Sequence, residues 1–256
     1  MNALDGIVAL TRQEVARRRR AVPLELLHDP GAARRRSFMA ALQRPGVSLV
    51  AEHKRRSPSA GAIREDMELE DVVRAYELGG AAAVSVLTDG PHFGGSLDDL
   101  RRARAACSLP ILRKDFIVDP YQLHEARAAG ADAILLIVAA LADRELGELH
   151  QLALELGLAA LVEVHDATEL ARAAALGASI IGINNRDLRT LQVDTETTFR
   201  LVAALPEGVT VVAESGFTER AQLDRLAAAG VQAVLIGEAL MRANDVEVAC
   251  RALTGA

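Results

Sequence analysis

The sequence predicts a single eight-stranded parallel α/β barrel with an N-terminal helical extension, and three observations predict it. The chain has 256 residues, the length at which one such barrel normally falls. Half of its residues are apolar, enough for one large core. A unit also repeats along it, in which an Ala-rich helical stretch ends in Gly and a run of β-formers begins a few residues later. It occurs as YELGGAAAVSVLTD (76–89), ARAAGADAILLIVAA (126–140), ALELGLAALVEVH (153–165), AAALGASIIGINNRD (173–187) and LAAAGVQAVLIGEA (226–239). A helix closed by a left-handed Gly, then a strand buried on both faces, is the αβ half of a βα repeat.

Residues 1–46 precede the first strand and form the extension. Within it ALDGIVALTRQEVARRRRAV reads as an amphipathic helix. The arginine runs 17–20 and 34–36 are read as solvated faces, with a lid or an anion-attracting flank as the functional alternative. The barrel is assigned to 47–256. Three strands lack the Gly lead-in, VSLVAEHK (47–54), LPILRKDFI (109–117) and GVTVVAESGF (208–217), and they bring the count to eight. Helices are expected at 68–78, 120–130, 143–157, 166–177, 194–205 and 218–230, each opening with Asp, Thr, Glu or Pro, residues that suit a helix N-terminus. Short connections between alternating strands and helices force parallel pairing, and eight such units close into a (β/α)8 TIM barrel. The fold alternative is an open doubly wound sheet, but neither GxGxxG nor GxxxxGK[ST] follows any strand.

Composition removes several function classes. Acidic residues outnumber basic ones by 35 to 29, and only seven residues are aromatic, none of them Trp. A nucleic-acid binder would instead carry a basic stripe interleaved with aromatics. No apolar run reaches the roughly 18 residues a membrane span requires, and the N-terminus lacks the features of a signal peptide, so a cytoplasmic enzyme is expected. Cys107 and Cys250 are too few and too far from any metal spacing to suggest a disulfide or zinc site, and both are read as inert helix residues.

Of the 29 basic residues, only Lys54 and Lys114 are lysines. A bias that replaces lysine by arginine should spare positions where a compact, deprotonatable ammonium is needed. In a barrel of this type the reactive groups project from the C-terminal ends of the strands. Those ends carry Glu52 and Lys54, Thr88 and Asp89, Lys114 and Asp115, Glu163, Asn184 and Asn185, Glu214 with Ser215 and Gly216, and Gly237 with Glu238. Both lysines therefore fall in this short set, either as salt-bridge partners of Glu52, Glu163 or Glu214 or as a cationic acid and an anion ligand. The glycines in AESGF and LIGEAL, each between a strand and a helix, point to a phosphate site on the last two strands. His53 should turn away from Glu52 and Lys54 by strand alternation and pack between strand and helix. His165 follows Glu163 by two, with no third ligand in reach for a metal. His92 and Phe93 lie in the glycine-rich stretch 89–96, a loop that could set an aromatic over a ring.

The blocks AEHKRRSPSAG (51–61), SVLTDGPHFGGS (85–96), LRKDFIVDPYQLHEARAAGADAILLIVAAL (112–141), LVEVHDATEL (161–170), IGINNRDL (181–188), AESG (213–216) and LIGEALM (235–241) resemble indole-3-glycerol phosphate synthase, in the right order from the N-terminal helix to the last strand. The resemblance implies a ring closure without metal or cofactor, late in tryptophan biosynthesis. In it 1-(2-carboxyphenylamino)-1-deoxyribulose 5-phosphate becomes indole-3-glycerol phosphate, with release of carbon dioxide and water. It makes Lys114 the general acid at the ketone and Glu163 the acid/base of dehydration. It gives Lys54 the substrate carboxylate and a share in protonating the departing hydroxyl, with Glu52 as its partner and Glu214 as holder of the network. Asn184 and Arg186 match positions that bind the middle of the substrate, Ser57 a serine near its carboxylate, and Phe93, Phe116 and Leu188 the walls for its ring. Ser215, Gly216, Gly237 and Glu238 match the phosphate cradle. Some members of the family carry Ser where this chain has Glu238, so that side chain should turn away while its backbone N–H donates. The implied partner is a phosphorylated small molecule, with no nucleic acid or membrane, and the implied state is a monomer or weak homodimer. A Schiff-base aldolase-type barrel, the sister isomerase acting one step earlier, and a non-catalytic phosphate-binding barrel are the rivals. The isomerase asks for a cysteine ending the first strand, where this chain reads EHK.

Overall fold

The computed structural model describes residues 3–29, 35–188 and 190–256. Strand β1 (Ser48–His53) is followed by a two-residue-per-strand hairpin, β2 (Arg56–Ser57) against β3 (Gly61–Ala62). The chain then lays down β4 (Ala83–Leu87), β5 (Ile111–Lys114), β6 (Ala133–Ile137), β7 (Ala159–Val164), β8 (Ile180–Asn184), β9 (Thr210–Glu214) and β10 (Ala233–Ile236). These seven and β1 form a closed barrel in which every pairing is parallel, with β1 bonded to β10 on one side and β4 on the other. The five repeat glycines sit where the sequence requires them: Gly80, Gly130, Gly157, Gly177 and Gly230 all have positive φ, the conformation that reverses a chain leaving a helix.

Two helices precede the barrel. Helix α1 (Ala3–Ala21) is tied to the barrel wall beyond the C-terminal end of β5 by Arg12, which donates to the Val118 carbonyl, and by Arg18, whose Nε and Nη2 reach both oxygens of Glu125 at 2.7 and 3.0 Å. The arginine run is thus not uniformly solvated. Arg17, Arg19 and Arg20 are exposed, whereas Arg18 is held because helical spacing brings it over the buried Glu125. In the second run Arg36 donates to the Leu109 carbonyl, and Arg34 lies outside the described residues. Helix α2 (Phe38–Leu42) plugs the opposite end, placing Phe38 and Leu42 in the inner core beside Val50, Ala83, Leu112 and Ile180.

The outer layer comprises α3 (Leu69–Leu78), α4 (Gly90–Phe93), α5 (Leu97–Ala106), α6 (Pro120–Ala129), α7 (Asp143–Glu155), α8 (Ala167–Leu176), α9 (Glu196–Val202), α10 (Arg220–Ala228), α11 (Glu238–Arg242) and α12 (Val246–Thr254). Outward strand residues such as Leu49, Val84, Ile134, Val162, Ile181 and Val234 pack with these helices in one large cluster, while the inward set fills the barrel. His53 is on the outward side and buried, as alternation predicts; its burial, with Arg55 nearby, pulls its pKa down to about 4. Both cysteines are free and buried, Cys250 within α12 and Cys107 one residue past α5. No described helix is long and apolar enough to cross a membrane.

Candidate active site

The inward rows change character along each strand. They begin apolar, with Val50, Leu112, Leu161, Ile180 and Val212, and two residues later or at the strand end they carry Glu52, Lys114, Glu163, Gly182, Asn184 and Glu214. Parallel register sets Glu163 level with Gly182 and Asn184 level with Glu214. The charged groups therefore form the floor of a cavity of about 360 Å³ at the C-terminal rim.

Lys114 stands at the centre of that floor. Its Nζ is 2.8 Å from Glu214 Oε2, 3.7 Å from Glu52 Oε2 and 3.9 Å from Glu163 Oε2. Lys54 Nζ takes the other oxygen of Glu52 at 3.1 Å. The two lysines of the protein thus converge on one carboxylate. Gly182 belongs to the same arrangement, because a Cβ there would lie 2.3 Å from Glu214 Oε1.

Electrostatics differ among the three acids. Burial pushes each carboxyl upward, and the outcome depends on which cations answer it. For Glu52 the two lysines outweigh burial and hold it below the usual carboxylate range. For Glu163 His165, Lys114 and Asn184 outweigh it and pull the pKa to about 2. For Glu214 burial, with Glu163 and Glu52 adding to it, exceeds the pull of Lys114 and raises the pKa to about 7. Glu52 faces two lysines and Glu163 faces a lysine and His165, whereas Glu214 has Lys114 alone against burial and two neighbouring carboxylates, so it is the one lifted. Burial pulls Lys114 down, but Glu214, Glu52 and Glu163 together raise it above an ordinary lysine, so it stays an ammonium.

The walls carry the remaining groups. Phe93 and Phe116 face each other with ring centroids 6.4 Å apart, and Leu188 lines the same cavity. The 89–96 stretch is not a plain loop: Asp89 accepts hydrogen bonds from the N–H groups of His92 and Phe93 and caps the single turn of α4. Opposite lie Ser215, Gly216, Gly237 and Glu238. Ser215 and Gly216 have φ of 67° and 91°, two successive left-handed residues, and Ser215 is held there through its hydroxyl, which donates to Asn184 Oδ1, and its carbonyl, which accepts from Asn185. The Glu238 carboxylate is turned onto Arg242 at 2.9 Å.

Every expected site residue lines this cavity except Ser57. After Lys54 the chain turns into the β2–β3 hairpin, where the Ser57 hydroxyl accepts from the Ala60 N–H and faces Ser59. Three other strand-end residues are tied into the wall by hydrogen bonds, Asp115 also lining the cavity. Asp115 and Thr88 bond each other and the buried Arg113, and the Asn185 side-chain Oδ1 accepts from the Thr198 N–H and hydroxyl. Among residues not expected at the site, Arg242 lines the cavity and His165 stands behind Glu163. Arg242 reaches the cavity from α11, one turn past Glu238, a spacing legible in principle. His165 stands between Glu163 and Glu169. Among the described residues no group of three or more His, Cys, Asp or Glu is arranged to hold a metal ion.

The family model for indole-3-glycerol phosphate synthase matches residues 4–253. The chain is 50% identical to the indole-3-glycerol phosphate synthase of Rhizorhabdus wittichii, with 100% of this chain and 99% of that protein covered. It is 48% identical to that of Rhodopirellula baltica, with 99% of each chain covered. Among solved structures, a tryptophan synthase α-subunit from Pyrococcus furiosus superposes with a TM-score of 0.63 at 15% identity, covering 82% of this chain and 98% of the other. A thiamine phosphate pyrophosphorylase from Pyrococcus furiosus gives 0.61 at 19%, covering 82% and 94%. These two likenesses bear on the barrel fold alone.

Proposed function

The chain belongs to the indole-3-glycerol phosphate synthase family, decarboxylating lyases of tryptophan biosynthesis acting on a phosphorylated small molecule, and we propose how its residues divide that chemistry. The substrate is 1-(2-carboxyphenylamino)-1-deoxyribulose 5-phosphate. Its phosphate sits against the backbone of Ser215, Gly216, Gly237 and Glu238, where consecutive left-handed residues turn N–H groups toward an anion. The Glu238 carboxylate, taken up by Arg242, does not repel it. The carboxyphenyl ring lies against Phe93, Phe116 and Leu188, a wall that keeps water from the reacting carbons. Asn184 and Arg186 hold the sugar chain, and Lys54 holds the ring carboxylate. Ser57 belongs to this reading only on closure of the β2–β3 hairpin over the cavity.

Ring closure makes the ketone oxygen alkoxide-like, and Lys114 donates to it. The acids that keep Lys114 charged make it a reluctant acid toward water, but an alkoxide is basic enough to take its proton. Loss of carbon dioxide restores a neutral ring-closed alcohol. Glu163, ionised and within reach of Lys114, then takes the ring N–H proton while a cationic lysine protonates the departing hydroxyl, and transfer of a proton from the ring methylene back to the nitrogen completes the aromatic indole. The observation that carries this reading is the contact of one ammonium with three carboxylates, at 2.8 to 3.9 Å, on the floor of an aromatic-walled cavity. It also disfavours a Schiff-base mechanism, which needs an uncharged lysine amine. We take a monomer or weak homodimer as the working unit, with which a site lined by residues of one chain is compatible, and the cytoplasm as its compartment.

The test is turnover of the carboxyphenylaminodeoxyribulose phosphate, followed by indole fluorescence in the presence of a chelator. Steady product formation is expected. Absence of product, or a borohydride-trapped adduct on either lysine, would remove the assignment.

A further inference from the structure

His165 immediately follows β7 and is pinned from outside the site. Glu169, in the first turn of α8, uses one oxygen twice: Oε2 accepts the His165 backbone N–H at 2.8 Å and meets the ring Nδ1 at 2.9 Å. Helix α8 is itself capped by Asp166, which accepts from the Glu169 N–H, so the anchor is built into the helix start. The other ring nitrogen faces the site, with Nε2 3.3 Å from Glu163 Oε1, an ion-pair contact. Glu163 is 2% exposed, and its two oxygens are divided, Oε1 to His165 and Oε2 to Lys114. The imidazole, only 12% exposed, stands between the site cavity and a second cavity of about 460 Å³ lined by His165, Asp166 and Glu169.

We propose that His165, anchored by Glu169, is a positioning residue that aims the Glu163 carboxylate at the reacting centre. The inference rests on the reading of Glu163 as the acid/base and adds to it the group that orients it. A carboxylate on a strand end keeps rotational freedom about its last bonds unless both oxygens are engaged. Lys114 is shared among three acids, and it hydrogen-bonds Glu214 at 2.8 Å while standing 3.9 Å from Glu163. The ring supplies the second contact as an ion pair rather than a hydrogen bond, and carboxylates on both of its sides favour the doubly protonated, cationic form. Burial pulls the His165 pKa down, but Glu163 and Glu169 outweigh it and lift it to about 10. The groups facing this pair are Lys114 from β5, Glu52 from β1, Glu214 from β9 and Asn184 from β8 around Glu163. Around the ring stand Glu163 and Glu169, with Asp166, Asp187 and Asp194 lining the outer cavity.

The test compares His165→Ala, His165→Gln, Glu169→Gln and Glu163→Gln on the full-length enzyme, reading kcat, KM, the pH profile of kcat/KM and thermal unfolding. His165→Ala is expected to lower kcat roughly ten- to hundredfold, the range found when a group orienting a functional ligand is removed, with KM within about threefold. The acidic limb set by Glu163 should move up by about one pH unit or more, because its nearest counter-charge is gone. His165→Gln, which keeps a donor but no charge, should recover part of kcat and leave the limb displaced. Glu169→Gln should lower kcat in the same direction by less. Unchanged kcat and an unmoved limb in His165→Ala would overturn the proposal. If His165→Ala does not fold, the Gln variants decide it, and wild-type kcat and pH profile in both overturn it equally. Full activity in Glu163→Gln would instead remove the reading of Glu163 and leave the His165 contact without a catalytic object.

Discussion

Replacing Lys114 by arginine separates charge from proton donation at the centre of the site. The ammonium lies 2.8 Å from Glu214, 3.7 Å from Glu52 and 3.9 Å from Glu163, so any cation of similar reach answers the same three carboxylates. Arginine keeps the charge but cannot give up a proton in the working pH range. Loss of a general acid lowers turnover by roughly 10² to 10⁴, equivalent to about 3–5 kcal/mol of barrier. Substrate binding should change by no more than about threefold, since phosphate and ring are held elsewhere. Lys114→Met provides the contrast. It leaves three buried acids without their shared cation, a loss on the order of 3–5 kcal/mol in stability at neutral pH. That loss should shrink on acidification, because acids deprived of a counter-charge have raised folded-state pKa values and bind protons more readily in the native state. Indole fluorescence with saturating substrate measures kcat, and urea unfolding at pH 5 and 8 measures stability. Turnover in Lys114→Arg within tenfold of the unsubstituted enzyme would refute the assignment of Lys114 as proton donor.

Three further outcomes follow from the same geometry. In Glu163→Gln carbon dioxide release should outrun indole formation, so that an intermediate accumulates in single-turnover samples; equal loss of both steps would contradict the role in dehydration. Glu214 has a folded pKa raised from 4.5 to about 7, so its favourable contribution is complete below about pH 4.5 and is lost as pH rises through 7. Glu214→Gln should therefore be more stable than the parent at pH 8, by on the order of 3 kcal/mol at most, with the advantage gone near pH 4.5 in urea titrations. Gly182→Ala places a methyl 2.3 Å from Glu214 Oε1, and the displaced carboxylate should reduce stability by about 1–3 kcal/mol and turnover more than tenfold; near-parental activity would show that Glu214 is free to move.

The barrel was legible because each strand is a continuous apolar run and five of them follow a Gly that closes a helix, two features that the order of residues displays. Helix α5 was not singled out, and its sequence LDDLRRARAA explains why. Only Asp99, Leu100 and Ala103 are buried, so the apolar stripe that marks a helix is almost absent. The site was legible to the extent that it lies at strand ends, where a charge in an apolar run stands out. What lay hidden were contacts between elements. The four arginines at 17–20 are chemically alike, and only the packing of α1 on α6 distinguishes Arg18 through Glu125. His165 and Glu169 are four residues apart, but the first lies just past a strand and the second in the first turn of a helix, so neither the helical nor the strand period pairs them. Ser57 lies off the cavity lining for a related reason: four residues beyond the end of β1 the chain has already turned into a hairpin.

The central claim is that one cavity presents a proton-donating ammonium, an aromatic wall and a phosphate pocket to a single small molecule. A crystal structure with an unreactive substrate analogue, its ketone reduced to an alcohol, tests this directly. The account predicts phosphorus over Ser215, Gly216 and Gly237, the carboxyphenyl ring against Phe93 and Phe116, and the alcohol oxygen within hydrogen-bond distance of Lys114 Nζ. A phosphate bound elsewhere, or an alcohol oxygen remote from both lysines, would contradict it.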